Sequence, residues 1–509
     1  EKTKDVLSRL NEIELEDNPE LIEKVQIDNK NQTESQKKIK ELEARKKQAE
    51  EEEKNLIENF SQEIGQSVKD TEKIWGYLKR YALIGMVTGV PGIALTCLYD
   101  KWKENAMAKE LKELNQKVIA SQNELELHRE LSEKYQLTDK IEDIVEDPEI
   151  DIVVELIGRE HPAKEYIAAA LEHKKNVVTA NKDVLAKYGK ELFPLAEENK
   201  VDFMFEASVG GGIPIIRPLK SCLAANKVTS VMGIVNGTTN YMLTKMSQEN
   251  MDYADVLREA QEKGYAESDP TADVGGLDAA RKLVILASIA FNTRIDLSDV
   301  LVEGIDGLDL CDIEHGKELG YAIKLLAIAK NNAEHGISVC VRPTMLPVSH
   351  PLAGVNDVFN AIFVTGDAIG DAMFMGRGAG KMPTASAVCG DIIDVARNII
   401  HKSNGRINCT CFDEKHLCSL ENMMSPCYIR LHVQDKPGVL AAIAAAFGAQ
   451  NVSLKNVVQK SKVKGVAELV VITYDVSELN LQMAVQTLKA LPIVEKVCSV
   501  IRVEDHDLE

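Results

Sequence analysis

The most informative hydrophobic pattern in the chain runs from Leu277 to Phe291 and is apolar nearly all round a helical wheel. Such a pattern predicts a helix that is buried on every side. Asp278 and Lys282 interrupt it four residues apart, so both side chains project from one face of the helix. Because a carboxylate and an ammonium removed from water must be paired or used in chemistry, the pair is either an ordinary helical ion pair or part of a functional site.

The segment before this helix is rich in carboxylates and cannot be regular helix. Pro270 and the pair Gly275 and Gly276 break the helical pattern. Three carboxylates lie in this stretch: Glu267, Asp269 and Asp273. The sequence therefore predicts an acidic loop that leads into the buried helix.

Strand and helix patterns alternate from Thr138 onward. IDIVVELI and NVVTA are typical of buried parallel strands, PAKEYIAAALEHKK is typical of an amphipathic helix between them, and VDFMFEA predicts a further strand. Lys182 comes directly after the NVVTA strand, at the end where open α/β sheets bind ligands. A lysine in such a place is, by itself, more often a solvated loop residue.

The C-terminal region has a different pattern. From Cys427 the predicted elements follow the order β-α-β-β-α-β, which is that of a ferredoxin-like domain. A polar, cysteine-containing stretch at residues 401–425 precedes it and predicts a linker.

The N-terminal region lacks a core pattern. Residues 1–80 are dominated by Glu, Lys, Gln and Asn, which predicts a solvated helical or coiled-coil arm. The sequence starts with Glu1 instead of Met, which is consistent with a missing natural N-terminus.

The uncharged run at residues 81–99 has two interpretations. Its length matches the ~20 residues that span a bilayer, so it is either a membrane segment or buried hairpin, or it replaces the first strand and glycine turn of a dinucleotide-binding domain. Its glycines follow G-x-x-x-G-x-x-G, and Val87 stands where G-x-G-x-x-G has its second glycine. A Val Cβ there would crowd a pyrophosphate, so the front half of a cofactor domain at residues 81–137 is predicted to be atypical.

Composition narrows the function classes. The formal net charge is −20, with 60 Lys and Arg against 80 Asp and Glu, and the chain has no sustained basic stripe, so nucleic acid is not an expected partner. The 10 cysteines lack a framework spacing, as expected of reduced thiols in a cytoplasmic protein. Cys409, Cys411, His416 and Cys418 form one local group, but C-x-C is not the usual zinc spacing, which favours linker thiols over a metal site.

Several long motifs, in order, resemble the homoserine dehydrogenase family over about residues 138–505. The motifs are DPEIDIVVELIG, VVTANKDVLA, FEASVGGGIPII, GIVNGTTNYMLTKM, GYAESDPTADVGGLDAARK and GRGAGKMPTASAV, and the C-terminal region is similar to an ACT domain. The resemblance implies a multidomain α/β and α+β fold with a Rossmann-like cofactor domain (138–205 and 376–400), a catalytic and dimerisation domain (206–375) and an ACT regulatory domain (426–506).

The resemblance also implies an activity, the NAD- or NADP-dependent interconversion of L-homoserine and L-aspartate 4-semialdehyde in threonine, methionine and isoleucine biosynthesis. By that resemblance, Lys282 is the proton donor, and Glu267, Asp278 and Lys182 bind substrate. The cofactor is expected near Lys182, Gly264 and Gly378. A sodium or potassium ion is expected at Glu206 and at the main-chain oxygens of Val209, Gly211 and Ile213.

The implied partners are the small-molecule substrate, threonine as an effector at the ACT domain, and further copies of the chain in a homo-oligomer. Membrane association through residues 81–99 stays open. The alternative function is a catalytically impaired scaffold or membrane-tethered ACT ligand sensor, because the chain lacks a regular dinucleotide turn. The complete set of Glu267, Asp278 and Lys282 favours the enzyme.

Overall fold

The structure, a computed structural model, describes residues 138–504 with the exception of positions 408 and 464. The predicted charged arm, the apolar run at 81–99 and the region up to residue 137 lie outside the described residues. Within the described part of the chain, no helix is both long and apolar enough to cross a membrane.

A three-stranded parallel sheet forms the first layer. Its order is β1 (Ile152–Glu155), β2 (Asn176–Thr179) and β3 (Phe203–Met204), and Val154 pairs with Val178. Short helix α1 (Glu142–Val145) precedes it, and α2 (Ala163–Glu172) and α3 (Lys182–Asn199) connect its strands. This alternation confirms the predicted Rossmann-like parallel sheet.

The third strand is shorter than the VDFMFEA pattern predicts. The chain leaves it after Met204 and forms a 3-10 turn over Glu206–Ser208. The Glu206 carboxylate explains the early exit, because it accepts hydrogen bonds from the main-chain nitrogens of Ile215 (2.6 Å), Ile216 (2.8 Å) and Arg217 (2.9 Å). These bonds satisfy the exposed N–H groups where the next helical segment begins, just ahead of the π-helical turn Pro218–Cys222.

A mixed sheet of ten strands forms the main body. The strands from the middle of the chain are β4 (Val228–Ile234), β5 (Leu301–Val302), β6 (Tyr321–Asn332), β7 (Gly336–Pro347), β8 (Phe359–Gly366) and β9 (Gly370–Arg377). Four strands from the C-terminal region join them: β11 (Cys427–Gln434), β12 (Leu454–Val463), β13 (Val466–Thr473) and β15 (Val494–Val503). The order across the sheet is β12-β13-β11-β15-β7-β6-β4-β8-β9, and β5 pairs with β7 beside that path. The sequence GKELGYAIKLLAIAK (316–330) is typical of one amphipathic segment, but the structure divides it between the end of a helix at Glu318 and the long strand β6.

Five helices accompany these strands: α4 (Gly237–Glu249), α5 (Tyr253–Glu262), α6 (Thr271–Val274), α7 (Leu277–Ala290) and α8 (Leu310–Glu318). The predicted buried helix is α7. From Leu283 to Ala290 every residue of it is buried, which confirms the apolar pattern. Its neighbours include α3 and the strands β6 and β7, so the helix lies between the two sheets.

Helix α9 (Lys381–His401) returns the chain to the parallel sheet, and Gly380 is its N-cap. Ala387, Val388 and Val395 pack with Val178 of β2 in one apolar cluster. Helix α9 therefore packs against the parallel sheet.

The C-terminal region folds in the predicted ferredoxin-like order. Its elements are β10 (Met424–Ser425), β11 (Cys427–Gln434), α10 (Val439–Ala449), β12 (Leu454–Val463), β13 (Val466–Thr473), β14 (Val476–Ser477), α11 (Glu478–Ala490) and β15 (Val494–Val503). Strand β15 pairs in parallel with β7 through Arg502 and Thr344, so the sheet of this domain continues into the central one.

Candidate active site

Asp278 is the centre of a buried cluster of charged side chains. Its carboxylate accepts a hydrogen bond from Nζ of Lys282 at 2.7 Å and from Nδ2 of Asn236 at 2.9 Å. Nζ of Lys182 lies 3.0 Å from the other carboxylate oxygen. The structure therefore brings Lys182, Asn236 and Lys282 into contact with Asp278. Of these, Lys182 and Lys282 were predicted to share a site with Asp278.

Three helix N-termini position this cluster. Lys182 is the first residue of α3, directly after β2, and the Asn181 side chain caps that helix by accepting a bond from Val184 N at 3.1 Å. Asn236 caps α4, and Asp278 lies in the first turn of α7. A carboxylate is favoured there by the positive end of the helix dipole, which explains part of the stability of the buried Asp278 charge.

Lys282 is held at one end by two acceptors. Its ammonium donates to the Val235 main-chain oxygen at 2.7 Å as well as to Asp278. An ammonium has three donors, and no described residue accepts from the third. Since only 12% of the side chain is exposed, a substrate oxygen arriving at this position would meet a fixed proton donor.

The charges within the cluster stabilise one another. Burial would raise the pKa of Asp278, but the positive charges of Lys282 and Lys182 and the bonds from Lys282 and Asn236 outweigh it and hold that pKa below its usual range. Burial alone would lower the pKa of Lys182, and the charge of Asp278 reverses this and raises it. At neutral pH the cluster thus holds a carboxylate between two ammonium groups.

Asp273 is a second carboxylate beside Asp278. Nδ2 of Asn236 also donates to it, at 2.7 Å. Burial, and to a smaller extent the charge of Asp278, raises the pKa of Asp273. The sequence places Asp273 in the acidic loop without a role, and the family resemblance implies that the turn starting at Asn236 lies beside the nicotinamide and substrate. The shared amide group connects both residues to Asp278.

Glu267 and Gly264 lie in the exposed segment between α5 and α6. The Glu267 side chain makes no hydrogen bond or ion pair with any residue in the described ranges, whereas its main-chain oxygen accepts from Gln261. Gly264 has φ +73°, and a Cβ added to it would meet nothing within 4 Å. The structure thus brings Lys182, Asp278 and Lys282 into contact and leaves Glu267 open to solvent.

The turn after β1 provides an apolar surface at the ligand end of the parallel sheet. The Glu155 carboxylate accepts from Ile157 N at 2.7 Å and from Thr179 Oγ1 at 2.6 Å, which fixes the turn. Leu156 and Ile157 nevertheless remain 60% and 58% exposed. Exposed apolar side chains at the carboxyl end of parallel strands fit a surface for the planar rings of a dinucleotide.

Gly378 and Gly211 contact each other where the two glycine-rich segments meet. A Cβ on Gly211, which has φ +54°, would lie 2.5 Å from the Gly378 oxygen, and a Cβ on Gly378 would collide with the Asn360 side chain. Gly212 N also donates to Arg377 O at 3.1 Å. Close packing of the two segments therefore requires glycine at both positions.

Of the predicted cation ligands, three main-chain oxygens fit that role and the Glu206 carboxylate does not. No described residue donates to the main-chain oxygens of Val209, Gly211 and Ile213, so these oxygens fit a cation. The Glu206 carboxylate accepts three main-chain N–H groups and Arg217 Nε at 3.3 Å, which uses its capacity and does not fit a ligand. Within the described residues, no group of three or more His, Cys, Asp or Glu side chains could hold a metal, and His416 lies apart from Cys409 and Cys411, against Gly336.

Three family models match the chain. The model described as homoserine dehydrogenase matches residues 214–393, the homoserine dehydrogenase NAD binding domain matches residues 101–206, and the ACT domain matches residues 428–493. The second match begins before the described residues and before the range that the sequence motifs cover.

Relatives and solved structures agree with these models. A homoserine dehydrogenase from Bacillus subtilis is 43% identical over 399 residues, covering 78% of this chain and 90% of the relative. One from Synechocystis is 46% identical over 379 residues, covering 72% of this chain and 87% of the relative. The crystal structure of a homoserine dehydrogenase from Thiobacillus denitrificans is similar at a TM-score of 0.71, with 40% identity over 75% of this chain and 88% of that chain.

The matches cover the segments that supply Lys182, Asn236, Asp278 and Lys282. They also account for a nicotinamide cofactor domain and a regulatory domain in one chain. The chain belongs to the homoserine dehydrogenase family of NAD(P)-dependent oxidoreductases, with a C-terminal ACT domain.

Proposed function

We propose that the chain interconverts L-aspartate 4-semialdehyde and L-homoserine, with Lys282 as the group that gives and takes the proton. The observation that carries this proposal is the Lys282 ammonium, fixed by Val235 O and Asp278 with one donor left over. Reducing an aldehyde requires a hydride and a proton, and the nicotinamide cofactor supplies the hydride when bound. The proton must come from a positioned group within hydrogen-bond distance of the carbonyl oxygen.

Lys282 serves this step in two ways. Its positive charge stabilises the negative charge that develops on the aldehyde oxygen, and its third N–H donates the proton to that oxygen. Because Asp278 and Val235 hold the ammonium before substrate arrives, little reorganisation is needed during the reaction.

Asp278, Lys182 and Glu267 would bind and orient the substrate. The carboxylate of Asp278 would accept from the substrate hydroxyl once homoserine forms, while its ion pair with Lys182 keeps the carboxylate charged. Glu267, whose side chain is exposed and has no partner among the described residues, is suited to the substrate ammonium. Lys182 follows the strand end and lies where substrate and cofactor would meet, and Gly264 and Gly378 would face the cofactor.

The test is NADPH binding and NADPH oxidation by the full 509-residue chain with aspartate semialdehyde. We expect saturable binding by fluorescence titration and turnover that depends on the semialdehyde. Binding without turnover would contradict the catalytic assignment. Failure to bind either NADPH or NADH would support the alternative, a scaffold without a working dinucleotide turn.

A monovalent cation belongs to the proposal through three main-chain oxygens, those of Val209, Gly211 and Ile213. Their lack of donors in the described part of the chain supports it, and Glu206 is left out because its carboxylate is already bonded. Thermal unfolding in sodium, potassium and tetramethylammonium chloride at equal ionic strength tests this. A higher unfolding temperature in one of the two metal salts is expected, and identical curves would contradict it.

Threonine is the proposed effector at the ACT domain, and the chain is proposed to form a homo-oligomer. The turn at Gly438, with φ +89°, starts α10 and leaves main-chain N–H groups for a small ligand's carboxylate. Threonine inhibition that is lost in Gly438→Val, with uninhibited activity retained, would support the site. Unchanged inhibition in that variant would place the effector elsewhere.

A further inference from the structure

The C-x-C sequence in the linker lies against both helices that carry the charged cluster. Cys409, Thr410 and Cys411 line a small cavity together with Leu185 of α3 and Val284 of α7. The cavity volume is about 30 Å³, which is room for about two water molecules. A small reactant fits this space.

Cys409 is surrounded by donors and positive charge. Its sulfur accepts a hydrogen bond from Cys411 N at 3.4 Å and from Arg294 Nη2 at 3.6 Å. The ammonium of Lys220, which packs 4.4 Å above the ring of Phe205, lines the same cavity. These groups favour a thiolate, the reactive form of cysteine.

The two thiols differ in ionisation. Hydrogen bonding from Cys411 and the positive charges of Arg294 and Lys220 lower the pKa of Cys409 below its usual range. The interaction with the Cys409 sulfur, together with burial, raises the pKa of Cys411 above its usual range. Cys409 is thus the more readily ionised, and so the more nucleophilic, of the two thiols.

Thr410 adds a further polar group to the same cavity. Its Oγ1 is buried and has no hydrogen-bond partner among the described residues. Buried hydroxyl groups are usually hydrogen-bonded, so the orphan hydroxyl between the two cysteines is a position where a small hydrogen-bonding molecule would be stabilised. A peroxide has both the size and the hydrogen-bonding groups that this position requires.

We infer that Cys409 and Cys411 form an oxidation site for hydroperoxides, at which Cys409 is attacked first and Cys411 closes a disulfide. In the first step the Cys409 thiolate bonds to one peroxide oxygen, the O–O bond breaks, and the departing oxide takes a proton from solvent. The sulfur is oxidised by two electrons to a sulfenic acid and the peroxide is reduced. In the second step the Cys411 sulfur displaces hydroxide from Cys409, and the thiol proton of Cys411 converts that hydroxide to water.

Closing the disulfide would change contacts at the end of α7. In the reduced state the Cys411 sulfur donates to Ser288 O at 3.6 Å, and Ser288 Oγ accepts from Ile295 N at 3.1 Å. A bond between the two sulfurs removes the first contact. The modification site therefore contacts α7, the helix that carries Asp278 and Lys282, through Ser288.

Peptide mapping of the full chain after treatment with hydrogen peroxide at pH 7 tests the inference. We expect the peptide with both cysteines to lose two hydrogens, at a rate at least tenfold above oxidation of Cys418, a linker thiol whose pKa is raised by burial. In Cys411→Ser, Cys409 is expected to stop at a sulfenic acid that dimedone traps. Oxidation of Cys409 no faster than that of Cys418, or a disulfide to any other cysteine, would overturn the proposal.

A second variant separates the chemistry from folding. Thr410→Val keeps the side-chain shape and removes the orphan hydroxyl, so peroxide oxidation is expected to slow about threefold or more while alkylation of Cys409 by iodoacetamide keeps its rate. Equal slowing of both reactions would mean that the variant only disturbs the cavity, and the role of the hydroxyl would be rejected.

Discussion

Nζ of Lys282 lies 2.7 Å from Oδ2 of Asp278, one helical turn away on the same buried helix. On an exposed helix such a pair contributes little to stability. Here the pair is shared with Lys182 and with Asn236, from two other helix N-termini. The ion pair therefore connects the N-termini of α3, α4 and α7. This explains why a charge pair is retained inside an otherwise apolar helix.

Asp278→Asn is expected to lower the free energy of unfolding by about 3 kcal/mol, because it leaves two ammonium groups facing each other without a carboxylate. Urea denaturation measures this change. Asp183→Asn is the control, because Asp183 forms a partly exposed ion pair with Arg281 at 3.0 Å. Its loss is expected to lower the free energy of unfolding by less than about 1 kcal/mol. Equal losses in the two variants would show that the Asp278 cluster has no special role in stability.

Asp391 makes stability depend on pH in the direction opposite to most carboxylates. Burial raises its pKa to about 6, and the bond from Glu206 N and the charge of Arg217 only partly compensate. The folded state therefore holds this proton more tightly than the unfolded state, and stability is lost as the pH rises from about 4 through 6.

The free energy of unfolding is expected to fall by on the order of 3 kcal/mol from the lower to the upper end of this range. The reference is Asp391→Asn, whose side chain has no proton to lose. Urea denaturation of the wild type and of Asp391→Asn at about pH 4.5 and about pH 7 measures how much the free energy of unfolding of each changes with pH. Asp394→Asn, which removes a smaller contribution to the raised pKa of Asp391, is expected to keep the direction of the pH dependence with a smaller amplitude. A pH dependence that survives in Asp391→Asn would assign it to another group.

Gly264→Ala tests whether the cofactor lies against the main chain at this position. Both Gly264 and Gly320 have positive φ, +73° and +84°, and open space around a Cβ, so alanine at either should cost about 1 kcal/mol of stability. We expect KM for NADPH to rise at least tenfold in Gly264→Ala only. An equal KM in the two variants would remove Gly264 from the cofactor site.

Glu478 connects the ACT domain to the central sheet. Its carboxylate is paired with Arg502 and, at 3.1 Å, with Arg342, and 3% of its side chain is exposed. Glu478→Gln would leave the buried Arg342 without a counter-charge and Arg502 with Glu303 alone, and is expected to destabilise the chain by about 3 kcal/mol. The exposed Glu495→Gln should be neutral in the same urea titration, and a neutral Glu478→Gln would show that Arg502 is compensated by Glu303 alone.

Much of this architecture was predictable because the local patterns are strong. The buried helix α7, the alternating strands and helices, and the ferredoxin-like order all follow from hydrophobic periodicity. The pair Asp278 and Lys282 was visible because charge stands out in an apolar helix. Its partner Lys182 could be assigned only through the family resemblance, since contacts over long sequence separation leave no periodic signal.

Other parts of the site required three-dimensional information. Asn236 resembles an ordinary helix cap in sequence, and only the structure shows that its amide group also bridges Asp273 and Asp278. Glu206 appeared suited to a cation, but its carboxylate is used by the N–H groups of a helix start nine and more residues later. The joining of β15 to β7 likewise depends on how two domains pack and not on either strand's own pattern.

The central claim is that the Lys282 ammonium donates the proton, and the most direct measurement compares kcat and NADPH binding in Lys282→Ala and Lys245→Ala. Lys245 forms a helix ion pair with Glu249 outside the cluster and is the matched control. We predict that kcat falls by roughly 10²–10⁴ in Lys282→Ala with the NADPH Kd nearly unchanged, as expected for loss of a general acid, whereas Lys245→Ala keeps wild-type values. A Lys282→Ala enzyme that keeps kcat within about threefold of wild type would contradict the account.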